Sequence, residues 1–444
     1  METPICDFVR AYALSGARRL HMPGHKGTGP LGVEHLDITE IDGADVLYHG
    51  DGIIKRSQEN AAALFGAGKT LYSAEGSSLA IRAMLALVAM NTEGPVRIAA
   101  GRNAHKVFMT ACALLDIDVD WLYPEGERSL VCCRVTPESL DNYLSKQAVK
   151  PAAVYITSPD YLGNVADIAG ISAVCRKYGV LLLVDNAHGA YLRFLPESRH
   201  PMDLGADLCC DSAHKTLPVL TGGAYLHISS SAPKQFCHRA ERAMALFAST
   251  SPSYLILQSL DAVNRYLAQG YRQRLADFAS EVSALKERLR AAGFMLTGDE
   301  PLKLTVSTKP YGYSGGEVAE ILAEQSLICE FSDPDYVVFM LTPENGREVL
   351  AALENALAAL PKKEPISNEK MPICRPERRL SIRQALFASR QTLPLEQCRG
   401  RILAEAAVSC PPAIPVAVCG EVLDDAAMAW MAYYGITACD VVME

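Results

Sequence analysis

Several signatures are missing from this chain, and each absence closes off a function class. Its 14 cysteines include no Cys-x-x-Cys spacing, so neither a zinc ribbon nor a thioredoxin-type redox pair has its frame. Cys132-Cys133 and Cys209-Cys210 are adjacent pairs, and the cysteines are expected to be small buried thiols of a reducing compartment. There is no basic surplus. A net charge of −9 removes the sequence-independent attraction on which nucleic-acid binding rests. No apolar run is long enough to span a bilayer, and the longest, Leu79 to Met90, contains Arg82. Met1 to Asp7 lacks a basic segment leading into an apolar core, so no signal peptide and a cytoplasmic location are expected. His21, His25 and His35 have no Cys or acidic ligands at a regular spacing, so no metal site is expected. Gly66-Ala67-Gly68-Lys69-Thr70 has the tail of a P-loop, but Ala63 stands where its first glycine belongs.

What is present is 444 residues of ordinary globular composition, enough for two or three domains. From about Ser57 short apolar runs alternate with helical patterns: Thr70-Tyr72, Val96-Ala99, Ala153-Ile156, Val180-Val184, Asp207-Cys210 and Gly223-Ile228. That alternation predicts an open α/β sheet. A long helical stretch follows from Ser253 to Ala292. Short strands come next near Lys303-Val306 and Tyr336-Met340, with helices around Glu317-Glu324 and Gly346-Leu360. The expected organisation is an N-terminal arm (1–20), a large domain (21–252), a small α+β domain (253–360), a polar Pro-containing linker (361–375) and a C-terminal unit (376–444).

In open α/β sheets ligands gather outside the carboxyl ends of strands. Here those ends carry chemistry. The run Val180-Val184 closes on Asp185, and thirty residues later Ser212-Ala213-His214-Lys215-Thr216 follows another strand. A lysine beside a strand-borne acid is the pair that pyridoxal phosphate (PLP) needs, the one for the Schiff base and the other for the pyridine nitrogen. Glu75-Gly76-Ser77-Ser78 opens a helix with a glycine and two hydroxyls, suited to a phosphate or to a plain serine N-cap. Arg102-Asn103-Ala104-His105 offers a histidine that can stack on a ring, and Ser158-Pro159-Asp160-Tyr161 offers a turn over a ligand.

The chain resembles the ornithine/lysine/arginine decarboxylases of PLP fold type I in their short bacterial form. The resemblance rests on His21-Met22-Pro23-Gly24-His25-Lys26-Gly27, Asp37-Ile38-Thr39-Glu40, Arg102 to Lys106, Asp185-Asn186-Ala187-His188-Gly189-Ala190, Ser212 to Pro218, Thr250 to Tyr254, Pro411 to Pro415 and Gly420-Glu421. It implies a large domain with a mostly parallel sheet, a smaller α+β domain and an appended C-terminal unit. It implies PLP on Lys215, with Asp185 at the ring nitrogen, His105 on one ring face and Ala187 on the other. The phosphate would lie among Gly76, Ser77, Ser78, Ser212 and His214, with Thr250 and Ser251 supplied by the neighbouring subunit of a homodimer or higher even oligomer. The implied reaction is decarboxylation of lysine, ornithine or arginine, with Lys215 or His214 returning a proton to the α-carbon. Asp160, Glu330 and Glu421 are candidates for the substrate's distal cation. An aminotransferase or lyase on the same scaffold, or a PLP-binding paralogue with little turnover, are the alternatives. The lack of arginine from Pro301 to Thr342 speaks against a transaminase carboxylate clamp.

The chain also departs from the family. Glu75 replaces an Asn, and Leu79-Ala80-Ile81 lacks another. Gly101 and Val107 replace Asp and Ser. Asn186 stands where Glu is usual, and Asp211 where Gln is common. A carboxylate at 75 is unfavourable beside a phosphate unless it points away or meets a cation.

Overall fold

The computed structural model describes residues 1–124, 134–367, 371–372, 374–410 and 414–443. Cys132-Cys133, Pro411-Pro412-Ala413 and linker residues 368–370 and 373 lie outside them. In chain order the strands are β1 (Lys69–Ser73), β2 (Arg97–Gly101), β3 (Asp118–Leu122), β4 (Ala153–Thr157), β5 (Leu181–Asp185), β6 (Leu208–Asp211), β7 (Ala224–Ile228), β8 (Met295–Thr297), β9 (Lys303–Ser307), β10 (Phe331–Ser332), β11 (Tyr336–Met340), β12 (Arg390–Pro394), β13 (Ala407–Cys410), β14 (Ile414–Val418) and β15 (Ala438–Val442). The chain falls into two compact units, one of residues 1–93 and 168–275, the other of residues 94–167 and 276–444.

In the first unit β5 and β6 run parallel, with Asp185 opposite Cys210, and β7 is antiparallel to both β6 and β1. β5 and β6 are buried almost throughout, as their near-continuous apolar sequences require of strands covered on both faces. The helix Gly76–Met90 is apolar nearly all round and buried from Leu79 to Val88, which fits a central packing element rather than a surface one. The long helical stretch is two helices, Tyr254–Ala268 and Tyr271–Ala291, separated where Gly270 takes φ +73°. The P-loop-like tail is not one: Gly66 is the left-handed cap of the helix Ile53–Phe65, and Lys69 opens β1 and pairs with Glu241.

In the second unit β2 lies between β3 and β4, parallel to both. An antiparallel sheet of order β10-β11-β9-β8 is accompanied by the helices Gly315–Ala323 and Gly346–Ala358. The first of these begins with a reciprocal capping box between Ser314 and Glu317. The C-terminal segment forms two antiparallel pairs, β12 with β15 and β13 with β14, around a core that includes Leu403, Leu423, Trp430 and Val441. Sequence periodicity did not predict β3, β8, β10 or β12 to β15. Of these, β3, β8 and β12 are half-exposed and β10 has two residues, which leaves little alternation to detect. No helix among the described residues is long and apolar enough to cross a membrane, and the described cysteines are free thiols.

Candidate active site

The parallel register of β5 and β6 places Asp185 and the Asp211-Ser212 step at the same edge of the first unit. Asp185 is 3 % exposed. Its Oδ1 accepts from the Ala187 backbone N–H at 3.2 Å and from the Cys210 thiol at 3.5 Å. Those donors orient the carboxylate without neutralising it. Lys215 lies in the one-turn helix Ala213–Thr216 directly after β6. Its Nζ is 2.9 Å from Nε2 of His188, which sits in the turn after β5. His188 belongs to the Asp185-to-Ala190 motif, and nothing in the sequence pattern gives it a role. The missing clue is spatial: only the β5–β6 adjacency brings residues 27 positions apart into contact.

A second group forms where β1 gives way to the helix Gly76–Met90. That helix has no side-chain cap, its Gly76 N–H donating to Gly222 C=O at 2.7 Å, and Gly76 turns into it at φ +71° with open space where a Cβ would stand. Ser212 Oγ donates to Ser77 Oγ at 2.7 Å, joining the hydroxyl after β6 to the one after β1. Ser78 is half-buried beside them. Glu75 is exposed and turned outward, its Oε1 accepting from the Ser249 backbone N–H at 2.6 Å. The unfavourable carboxylate is thereby directed to the loop that continues into Thr250 and Ser251, both exposed. His214 is anchored twice to Gly223 C=O, by its backbone N–H at 3.1 Å and its Nδ1 at 2.9 Å. Burial lowers its pKa and adjacent Lys215 adds to this, against the pull of the Gly223 carbonyl.

Residues 3–298 match the family model described as Orn/Lys/Arg decarboxylase, major domain, and residues 370–439 match that of its C-terminal domain. The chain belongs to the Orn/Lys/Arg decarboxylase family. It is 30% identical over 466 residues to an arginine decarboxylase of Halalkalibacterium halodurans, covering 97% of this chain and 93% of that one. It is 29% identical over 458 residues to an arginine decarboxylase of Bacillus subtilis, covering 96% and 92%. Among solved structures, a lysine decarboxylase of Francisella novicida superposes with a TM-score of 0.80 at 15% identity, covering 99% of this chain and 81% of the other. The constitutive lysine decarboxylase of E. coli gives 0.76 at 17% identity, with coverages of 100% and 82%. A serine palmitoyltransferase of Sphingomonas wittichii gives 0.56 at 17% identity over 80% of this chain and 83% of the other. The fold is therefore that of the PLP fold type I enzymes, and the chain is an amino-acid decarboxylase by family.

The other candidates in this Orn/Lys/Arg decarboxylase chain lie in the second unit. His105 caps the helix Lys106–Leu115, its Nδ1 accepting from Val107 N–H at 3.2 Å. Arg102, three residues earlier, forms a buried ion pair with Glu421 at 2.8 Å and stacks over Trp121. Glu421 also accepts from Val418 N–H at 2.8 Å, so its carboxylate is occupied within the C-terminal segment. Asp160 accepts from the backbone and side-chain amides of Asn164, both at 2.8 Å, and borders a cavity of about 170 Å³ with Arg134 and Thr157. Glu330 is exposed just before β10.

Proposed function

We infer that this chain decarboxylates a basic amino acid using PLP, with arginine the first substrate to test. The full-length similarity to proteins named arginine decarboxylases supports that choice. The observation that carries the reading is the contact between Lys215 and His188 beside the buried Asp185. The residues present fit the cofactor: a lysine and a strand-borne acid at one sheet edge, two joined hydroxyls, and an uncapped helix start over an open glycine. Bound PLP supplies an electron sink for the pair left when CO2 departs.

Lys215 would hold the cofactor covalently. His188 Nε2, at 2.9 Å from Nζ, can take a proton from it and leave the amine nucleophilic. Asp185, already oriented by Ala187 and Cys210, would hold the proton of the ring nitrogen. Ser77, Ser78, Ser212 and Gly76 would receive the phosphate, His214 would border it, and Ala187 would face the ring. Between the two candidates for returning a proton to the α-carbon, the lowered pKa of His214 favours Lys215, because a neutral imidazole is a weak acid. The outward turn of Glu75 supports a working site over a paralogue with little turnover.

The exposed Thr250 and Ser251 would complete the phosphate site of a second copy in a homodimer or higher even oligomer. Asp160 and Glu330 stay the candidates for the substrate's distal cation, Glu421 being held by Arg102. The five-part division into arm, large domain, small domain, linker and C-terminal unit belongs to this reading. The test is a visible absorption band on the purified protein together with CO2 release from arginine, lysine and ornithine offered separately. A band with release from one of them is expected. A colourless protein that takes up no PLP would overturn the reading.

A further inference from the structure

A buried carboxylate stands one layer behind this site, and the chemistry above does not use it. Asp211 ends β6, immediately before Ser212, and is 0 % exposed. Its Oδ2 receives His200 Nε2 at 2.9 Å and His227 Nε2 at 3.2 Å, and its Oδ1 receives Asn186 Nδ2 at 2.7 Å. The other ring nitrogens fix the tautomers. His200 Nδ1 accepts from Met202 N–H at 3.3 Å, so its proton is on Nε2. His227 Nδ1 lies 2.8 Å from Thr70 Oγ1, a hydroxyl able to donate to it. Both imidazoles then reach Asp211 as neutral donors, and burial lowers the pKa of His227 in the same sense. Burial pushes Asp211 up, but its two histidine partners outweigh this and hold it well below the usual carboxylate range. The Cys209 thiol at 3.5 Å from Oδ1, Tyr225 opposite Asp211 on β7, and the buried Cys210 thiol also interact with it. The result is a carboxylate held in a buried interior.

That anion is tied to the candidate site through Asn186. The Asn186 backbone N–H donates to Cys210 C=O at 3.0 Å, and its side chain donates to Asp211. Gly189 N–H closes the turn on Asn186 C=O at 2.8 Å. The turn so pinned carries Asp185, Ala187 and His188. Two departures from the family pattern become one event here. Asn in place of Glu at 186 and Asp in place of Gln at 211 exchange carboxylate and amide across a single hydrogen bond.

The geometry points to Asp211 as a positioning residue that pins the Asp185–Gly189 turn through Asn186. Its kinetic and spectral readouts rest on the PLP reading. The test compares the parent, Asp211→Asn and the exchange variant Asn186→Asp/Asp211→Asn. In holoenzyme, kcat, KM and the pH midpoint of the lysine-bound cofactor's visible band are measured. In the cofactor-free chain, amide hydrogen exchange is followed over residues 186–189.

For Asp211→Asn we expect kcat to fall about tenfold at unchanged KM and the midpoint to move by on the order of one pH unit. Exchange of the turn amides should quicken about tenfold in the same variant. The exchange variant should recover all three, because it restores a carboxylate–amide pair at the same place, and it keeps the test open if the single variant folds poorly. Parent-like midpoint and exchange in Asp211→Asn would overturn the proposal. A stoichiometric metal ion held by His200, Cys209 and Asp211 in the purified protein would also overturn it, since those atoms lie within 4.8 Å of one another. A parent that binds no PLP would sink the cofactor reading and with it the kinetic and spectral arms. The exchange arm, which needs no cofactor, would still decide whether Asp211 pins the turn.

Discussion

Asp211 in the first unit and Glu421 in the second are both buried carboxylates, yet they are held by opposite means. Asp211 is shared among neutral N–H donors, so its charge survives as a field inside the unit. Glu421 meets the guanidinium of Arg102, which also reaches the carbonyls of Pro415 and Val416 at 3.4 Å, so the charges cancel and the pair acts as a clasp. A charge kept ionised by neutral donors can tune a neighbouring acid. A charge cancelled by its partner can only join two pieces of chain, here the end of β2 to the C-terminal segment. The contrast separates a buried acid beside the chemistry from one that ties two segments of chain together.

The clasp should break most expensively. Glu421→Gln leaves Arg102 buried without its counter-charge and should cost about 3–5 kcal/mol in denaturant unfolding. Replacing both residues by Met should recover much of that loss. A cost below about 1 kcal/mol would mean that solvent reaches the pair.

Asp333 sharpens the comparison as a buried acid with neither kind of partner on Oδ2. Burial raises its pKa to about 6, against the backbone N–H bonds from Asp335 and Tyr336. The folded form then binds its proton more tightly than the unfolded form does. Its contribution is greatest below the unfolded value near 4 and is lost as pH rises to about 6. Asp211 runs the other way, contributing above the unfolded value and losing that contribution as pH falls below it. Asp333→Asn should flatten the stability profile between pH 4 and 6 and stabilise the protein at pH 7 by on the order of 2 kcal/mol. An unchanged profile would contradict the assignment.

Smaller effects are expected where neutral hydroxyls act. Ser77→Ala should weaken PLP binding about tenfold, measured by cofactor titration, as one hydrogen bond to a phosphate is lost. Glu75→Ala should change unfolding stability by less than about 0.5 kcal/mol, since it frees only an exposed loop. A large loss of PLP affinity in Glu75→Ala would show instead that the Ser249–Ser251 loop needs that anchor within its own chain.

Much of this was legible in the sequence. Strong apolar runs announced β5, β6 and β7, and the acid and lysine at their ends announced the edge where Asp185 and Lys215 stand. The helices that begin at Gly315 and Tyr254 lie where helical patterns were expected around Glu317–Glu324 and from Ser253. What stayed hidden depended on register. His188 meets Lys215 and His227 meets Asp211 across neighbouring strands, while His200 reaches Asp211 and Glu421 reaches Arg102 from outside the strands. Asn186 and Asp211 were visible as two separate departures, and only the hydrogen bond between them makes them one. The direction of Glu75 could not be read either, because its partner is a backbone N–H 174 residues away.

The central claim is that Lys215 carries the cofactor at the edge it shares with Asp185 and His188. Borohydride reduction of the yellow holoenzyme, followed by peptide mapping, tests it most directly. The account predicts loss of the visible band and a pyridoxyl label on Lys215. A label on any other lysine, or no label on a protein that retains PLP, would contradict it.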